Sequence, residues 1–513
     1  MRQQRERLSR AERRRAWVLA ALIVLGMAVV AAAALFIVPR LPAATHVPEN
    51  GALVTEAAAG LDEITVDAVF SPDGLHHLTA TQTLVMTNRT GHTQTEAVLR
   101  SYTGAYLSAA TSPAGTEELF DACYGDAFRT GGLLVDGAQV NGEDVPYAWD
   151  DAARTVLTLP LPQPWAPGDT ITVTLTWHAA VPDCASRFGQ RDGVWALGNL
   201  FPLPAVWEDG AWRTDAYLSI GDPFLSECAN WHVTLTAPAG YTAAATGYAE
   251  PETQGDSLIW RWDAPAVRDF TVVLSRAYQR AAAMEGDTLV VAYARSQSAA
   301  TAMVQSAAKA LRCYGGLWGA YVYPTLTLCE VGFPFSGMEY PRLILLGEDT
   351  VSAGGDTLAL TVAHETAHQW WAMLVGSDSW YQAWQDESLA VYAQMDYIGQ
   401  VYGASSRASA IDESIESALR ISIPRDITPG SPLDAFASLS EYSLVVYNRG
   451  AALWVALEHL MGREGLDAAL RDYQTQYRFR LATRQNLTDI LSAHAGMDVS
   501  ALMRDYLDTE IIN

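Results

Sequence analysis

The sequence predicts a multidomain chain of the β plus α/β class. An N-terminal antiparallel β-sandwich or saddle comes first, then a mixed sheet, then mostly helical structure. Three observations predict it. After about residue 60, apolar and polar residues alternate in twos for roughly two hundred residues, the signature of half-buried strands. From Leu289 short apolar strands alternate with helical stretches, and beyond residue 356 nearly every segment has helical spacing. The chain has 513 residues, half of them hydrophobic, with no low-complexity tract or internal repeat, so it can bury two or three cores.

Residues 1–15 read as a basic tail with seven arginines between Arg2 and Arg15. Residues 16–38 carry no charge and would span about 35 Å as a helix, against a hydrocarbon core of about 30 Å. Only Arg40 follows closely, so the positive-inside rule puts the N-terminus in the cytoplasm. The expectation is a single-pass cell-membrane protein, anchored by residues 16–38, with its catalytic part extracellular. The rival reading is a cleaved signal peptide; signal cores run about 7–15 residues, so the longer stretch favours the anchor. Residues 39–60 read as a linker.

There are 33 basic and 58 acidic side chains, a formal charge of −25, and a single lysine, Lys309. Nucleic acid is excluded as a partner, because a polyanion needs a basic surface. Cys123, Cys184, Cys228, Cys313 and Cys329 lack metal-ligand spacing; two disulfides with one thiol left over, or five reduced buried thiols, are both open.

Residues 61–282 form the expected β domain. Its clearest strand is 170–177, with apolar residues on one face and threonines on the other; 231–236, 258–262 and 270–274 read similarly. Turn signals such as Asn141-Gly142 and Pro167-Gly168-Asp169 separate them. Residues 283–513 form the second domain. Strands are expected at 289–293, 326–330 and 343–346, and helices at 299–312, 358–374, 384–398, 450–461 and 466–477, with another opening near Asn486.

The chemistry lies in His364-Glu365-Thr366-Ala367-His368 and in Glu387. Histidines four apart on a helix point the same way and can share one zinc. Glu365 is turned about 100° around the axis, beside the metal's open position. A third protein ligand completes a hydrolytic zinc site, and Glu387, on a second helix-compatible segment, is the natural candidate. The pentapeptide alone is weak evidence, since short motifs recur by chance.

Together with Gly337-Met338-Glu339-Tyr340-Pro341 and Tyr447-Asn448-Arg449-Gly450, these residues resemble the aminopeptidase N and leukotriene hydrolase family of zinc metallopeptidases. The blocks occur in the family's order, and the resemblance runs from about Ile64 to the C-terminus, including Gly221-Asp222-Pro223-Phe224 and Val267-Arg268-Asp269-Phe270. Tyr340, where most relatives have Asn, looks like a bacterial-type variant. The resemblance implies a thermolysin-like catalytic domain, one zinc per chain and peptide substrates. It implies that Glu365 moves the proton of the attacking water and that Tyr447, supported by Tyr442, stabilises the oxyanion. Gly337, Met338 and Glu339 would bind the substrate N-terminus. A free α-amine, with pKa near 8, is cationic at pH 7 and would pair with Glu339.

The leading expectation is therefore a membrane-anchored zinc aminopeptidase. An endopeptidase or oligopeptidase on the same scaffold would leave Glu339 unpaired. A non-catalytic scaffold should have lost a ligand or Glu365, and this chain has lost neither.

Overall fold

The computed structural model describes residues 51–423 and 426–509. The alternation in the first half becomes strands whose apolar side chains face inward. In Thr170–Ala180, Ile171, Val173, Leu175, Trp177 and Ala179 are buried while the threonines between them are not. An eight-stranded sheet runs, edge to edge, through Glu252–Gln254, Ser257–Val267, Ala229–Pro238, Asp62–Phe70, Leu78–Thr87, Thr170–Ala180, Gly132–Val140 and Glu143–Asp144. Its neighbours are antiparallel except for Asp62–Phe70 and Ala229–Pro238, which run parallel. Two four-stranded sheets, one centred on Val194–Leu197 and Val272–Ser275, the other on Gln94–Arg100 and Val156–Trp165, share a continuous apolar core with it. A helix, Gly51–Ala58, occupies the end of the expected linker.

A five-stranded mixed sheet follows, in the order Gln279–Glu285, Thr288–Ala294, Thr325–Val331, Leu343–Gly347, Gly337–Tyr340. Its first strand contains the expected division between residues 282 and 283. The pairing with Thr288–Ala294 draws 279–285 into this sheet. Strand Gly337–Tyr340 lies at the edge, antiparallel to Leu343–Gly347. Helix Gln297–Trp318 covers the sheet and packs against helix Gly355–Ala367. Helices Trp384–Tyr402, Gly450–Met461, Arg463–Tyr477, Arg484–Ala495 and Ser500–Leu507 complete the domain.

The helix expected over 358–374 stops at Ala367. Trp370 and Trp371 turn into an aromatic cluster with Tyr314 and Trp318, and Ala372 takes φ 137°, a conformation a helix cannot contain.

Among the described residues no helix is long and apolar enough to cross a membrane. Gln297–Trp318 has the length, but it carries Lys309 and Arg312 and buries a single face. The expectation of a single-pass cell-membrane protein, in contact with the bilayer through an N-terminal helix, is overturned on that finding. Residues 16–38, which prompted it, and the tail 1–15 lie outside the described residues. All five cysteines are buried and free.

Candidate active site

Four elements converge. Helix Gly355–Ala367 presents His364 one turn before its end, and His368 caps it in helical conformation, so the two imidazoles stay on one side. Helix Trp384–Tyr402 brings Glu387 in its first turn. Glu387 Oε2 lies 3.4 Å from His364 Nε2 and 3.3 Å from His368 Nε2, and the two Nε2 atoms are 3.2 Å apart. The three ligand atoms fall within 4.8 Å of one another. His368 Nδ1 donates to the Trp371 carbonyl at 3.0 Å, leaving Nε2 with its lone pair directed at the cluster.

Glu387 is buried, only 4% exposed, and its Oε2 faces the two imidazole nitrogens without a well-formed hydrogen bond. A carboxylate oxygen in that state is costly unless a cation meets it. Two imidazole nitrogens and one carboxylate are the donor set of a hydrolytic zinc centre, so these residues fit the metal. Charge follows the same pattern. Burial would raise Glu387, but His368 and His364 hold it well below the usual carboxylate range. Burial would lower His368, yet Glu339 and Glu387 raise it well above the ordinary imidazole value.

Glu365 is buried beside the cluster, its Oε2 also without a donor. Burial pushes it up to about 8, against the opposing pull of His368. The edge strand passes directly over it: a Cβ on Gly337 would come 2.4 Å from Glu365 Oε1. A side chain there would have to push Glu365 aside.

Glu339, on the same face of that strand as Gly337, is buried with Oε1 3.8 Å from His368 Nδ1. Met338 points to the other face, into the core with Leu343 and Leu345, where its sulfur accepts from Arg187 at 3.3 Å. The structure therefore brings Gly337 and Glu339 to the cluster but not the Met338 side chain. Tyr340, beside Met338, donates to Asn199 Oδ1 at 2.8 Å, and Asn199 Nδ2 donates to Asp269 Oδ2 at 2.9 Å. The β domain thus holds the edge strand.

Tyr447 lies in a π-helical turn, Ser443–Arg449, that precedes helix Gly450–Met461. Its ring stacks on His364 with centroids 5.8 Å apart, and Tyr442 meets it edge-on at 5.5 Å. Burial, with Glu387 nearby, raises the Tyr447 phenol well above its ordinary value, so the hydroxyl keeps its proton.

Two carboxylates were not singled out by sequence reasoning. Asp222, gripped by Arg187 Nη1 at 2.5 Å, offers an oxygen within 4.8 Å of those of Glu339 and Glu387. Asp386 accepts the Glu387 N–H at 2.8 Å and the Ser379 hydroxyl at 3.0 Å, and burial together with Glu387 pushes it up to about 7. Asp222 lies inside a short block that the resemblance already covered and Asp386 stands next to Glu387, but nothing in residue type or spacing marks either. Glu339, Asp222 and Asp386 also border a cavity of about 70 Å³ walled by Phe224, Met338 and Met373.

The model of the peptidase family M1 domain matches residues 304–506, the segment that contains the histidines, Glu387, Glu339 and Tyr447. These residues form a family M1 domain. Among similar sequences, leukotriene A-4 hydrolase of Xenopus laevis is 28% identical over 187 residues, covering 35% of this chain and 30% of that protein. Aminopeptidase N of Lactococcus lactis subsp. lactis is 30% identical over 175 residues, 32% of this chain and 20% of that protein. The matches thus span less than a third of those relatives' length. Among solved structures, an M1 zinc metallopeptidase from Deinococcus radiodurans superimposes with a TM-score of 0.62 at 18% identity, covering 88% of this chain and 95% of that one. A mutant of the Deinococcus enzyme bound to a Tyr-Ser-Ala substrate superimposes with a TM-score of 0.63 at 17% identity. The shared fold therefore extends beyond the M1 domain into the β sheets before it.

Proposed function

We propose that this chain is a zinc-dependent aminopeptidase that removes N-terminal residues from peptides. The observation that carries the reading is the buried Glu339 carboxylate beside the His364, His368 and Glu387 cluster, because it supplies an anchor for an ammonium next to a hydrolytic metal set. The names of its relatives, aminopeptidase N among them, and the tripeptide held by the Deinococcus enzyme agree with it.

His364, His368 and Glu387 would hold one zinc. Zinc in such a set lowers the pKa of a bound water to about 7 and polarises a substrate carbonyl. Glu365 takes the proton released as water attacks and returns it to the departing amine; its burial beside the metal set, with one oxygen left without a donor, suits that role. Tyr447, protonated and stacked on His364, donates its hydroxyl to the oxyanion of the tetrahedral intermediate, with Tyr442 bracing its ring. Glu339 pairs with the substrate's α-ammonium and so sets the cut one residue from the end. Gly337 lets the edge strand lie close to Glu365 and leaves its backbone free to pair with an extended substrate.

Glu339→Ala tests this. The variant should retain its zinc and lose roughly 10- to 150-fold in kcat/KM on free-amine peptides, the worth of a charge-assisted contact of about 1.5–3 kcal/mol. N-acetylated peptides should be poor substrates before and after. A wild type that cleaves acetylated peptides as fast as free ones is an endopeptidase.

A further inference from the structure

We infer that Arg213, in the β domain, is a positioning residue for the metal centre, acting on Glu387 through Asp378, Ser379 and Asp386. The inference rests on the zinc reading above and adds a residue that lies outside the M1 domain.

Arg213 follows the small hairpin Trp207–Glu208 and Ala211–Trp212. Its side chain is only 14% exposed and meets three carboxylates. Nε donates to Asp215 Oδ2 at 2.8 Å, Nη1 to Asp378 Oδ2 at 2.8 Å and Nη2 to Asp378 Oδ1 at 3.3 Å; Glu208 also accepts from Nη1. The forked contact with Asp378 is the one that crosses to the second domain, and only a guanidinium makes it.

Asp378 is the cap of the short helix Ser379–Gln382, accepting the N–H of Trp380 at 3.2 Å and of Tyr381 at 3.3 Å. The β domain grips this turn again where the Trp380 indole donates to the Ala216 carbonyl at 3.0 Å, and where the guanidinium lies 5.0 Å from the Tyr381 ring centre. Inside the gripped turn, Ser379 Oγ donates to Asp386 Oδ2, and Asp386 Oδ1 accepts the Glu387 N–H. Helix Trp384–Tyr402 has no side-chain cap at its own start. Its first turn, which carries Glu387, is tied to the second domain by Gln385, which donates to the Tyr473 hydroxyl and the Ala482 carbonyl, and to the gripped turn by Asp386, so the chain of contacts from Arg213 to Glu387 is unbroken.

Removing the guanidinium leaves Glu208, Asp215 and Asp378 facing one another without a counter-charge, and their repulsion pushes the 378–382 turn away from the β domain. Contacts made directly to a metal ligand alter metal affinity by about 10- to 100-fold, and a residue that acts through intermediates should reach at most the lower end of that range.

The test is zinc affinity, measured on the full chain by competition with a chelating dye. Arg213→Ala should bind zinc several-fold to about tenfold more weakly. Arg213→Lys, which keeps the charge but not the fork, should recover part of the loss. Arg261→Ala, which removes an exposed pair with Glu252, should leave affinity unchanged. Asp378→Asn added to Arg213→Ala should weaken binding little further, as expected for two links of one chain. If Arg213→Ala lowers the melting temperature while holding zinc as tightly as the wild type, Arg213 is only a clasp between domains and the inference is overturned. Should that variant fail to fold, unchanged affinity in both Arg213→Lys and Asp378→Asn overturns it equally. A wild type that binds no zinc refutes the proposed function itself, a different result from a zinc-binding wild type indifferent to Arg213.

Discussion

Glu365 and Glu339 are both buried carboxylates within reach of His368, yet their surroundings differ. Glu365 sits under Gly337 with an oxygen that has no donor, the setting of a group that exchanges a proton. Glu339 sits at the strand edge next to a cavity, where a substrate terminus can reach it. Glu365→Gln should keep its zinc and lose roughly 10²-fold or more in kcat, because an amide cannot carry the proton; metal analysis beside steady-state rates checks both halves. Tyr447→Phe should lower kcat on the order of 10²-fold with little change in KM, since its hydrogen bond forms chiefly to the oxyanion. Equal losses in binding and turnover would remove that role. The histidines and Glu365 were legible because local spacing on one helix governs where they point, whereas Glu387, on a second helix, was reached through the need for a third ligand and the family resemblance. Asp222 and Arg213 were not, because their place depends on partners brought together by the fold: Arg187 for the first, Asp378 for the second.

At the scale of the element, the edge strand Gly337–Tyr340 holds the site together from above. Gly337→Ala should retain zinc but drive Glu365 aside, since the new methyl and Oε1 cannot stand 2.4 Å apart. A displacement near 1 Å at a reacting group costs up to about 10²-fold, so kcat should fall by at least about tenfold. A variant of normal rate would mean that the strand yields and that its fit over Glu365 is not needed. Strands were well legible: burial on one face writes a period of two, as in Thr170–Ala180, expected at 170–177, and burial on both faces writes an unbroken apolar run, as in Leu343–Gly347, expected at 343–346. The helix expected over 358–374 was too long, because apolar residues that turn into an aromatic cluster look the same as residues that continue a helix. The π-helical turn at Ser443–Arg449, which sets the Tyr447 ring against His364, has no sequence period to reveal it.

For the whole molecule, stability depends on acid in a direction set by the interface between the two halves. Burial pushes Asp269 up to about 7, opposed by hydrogen bonds from the Phe270 N–H and Asn199. An unfolded aspartate titrates near 3.9, so the native state holds this proton more tightly. Its contribution is complete below about pH 4 and is lost as pH rises through about 7. Melting temperature should therefore fall between about pH 4 and 7 and level off above that, and Asp269→Asn should flatten the decline; an equally steep fall in the variant would exonerate Asp269. The order of domains was legible from the change of period near Leu289, while the placement of strand Gln279–Glu285 in the second sheet was not, because a strand looks alike in either sheet. Strand Asp62–Phe70 adds a consequence for synthesis. It is the first strand of the eight-stranded sheet to leave the ribosome, yet it lies in the interior of that sheet, and one of its two neighbours is Ala229–Pro238. Until residue 238 has been made, one long edge of that strand has no partner of its own sheet, and the nascent chain must wait with the backbone N–H and C=O groups of that edge unpaired. Translation halted before that point should yield a protease-sensitive chain, and translation halted after Val267 a resistant one.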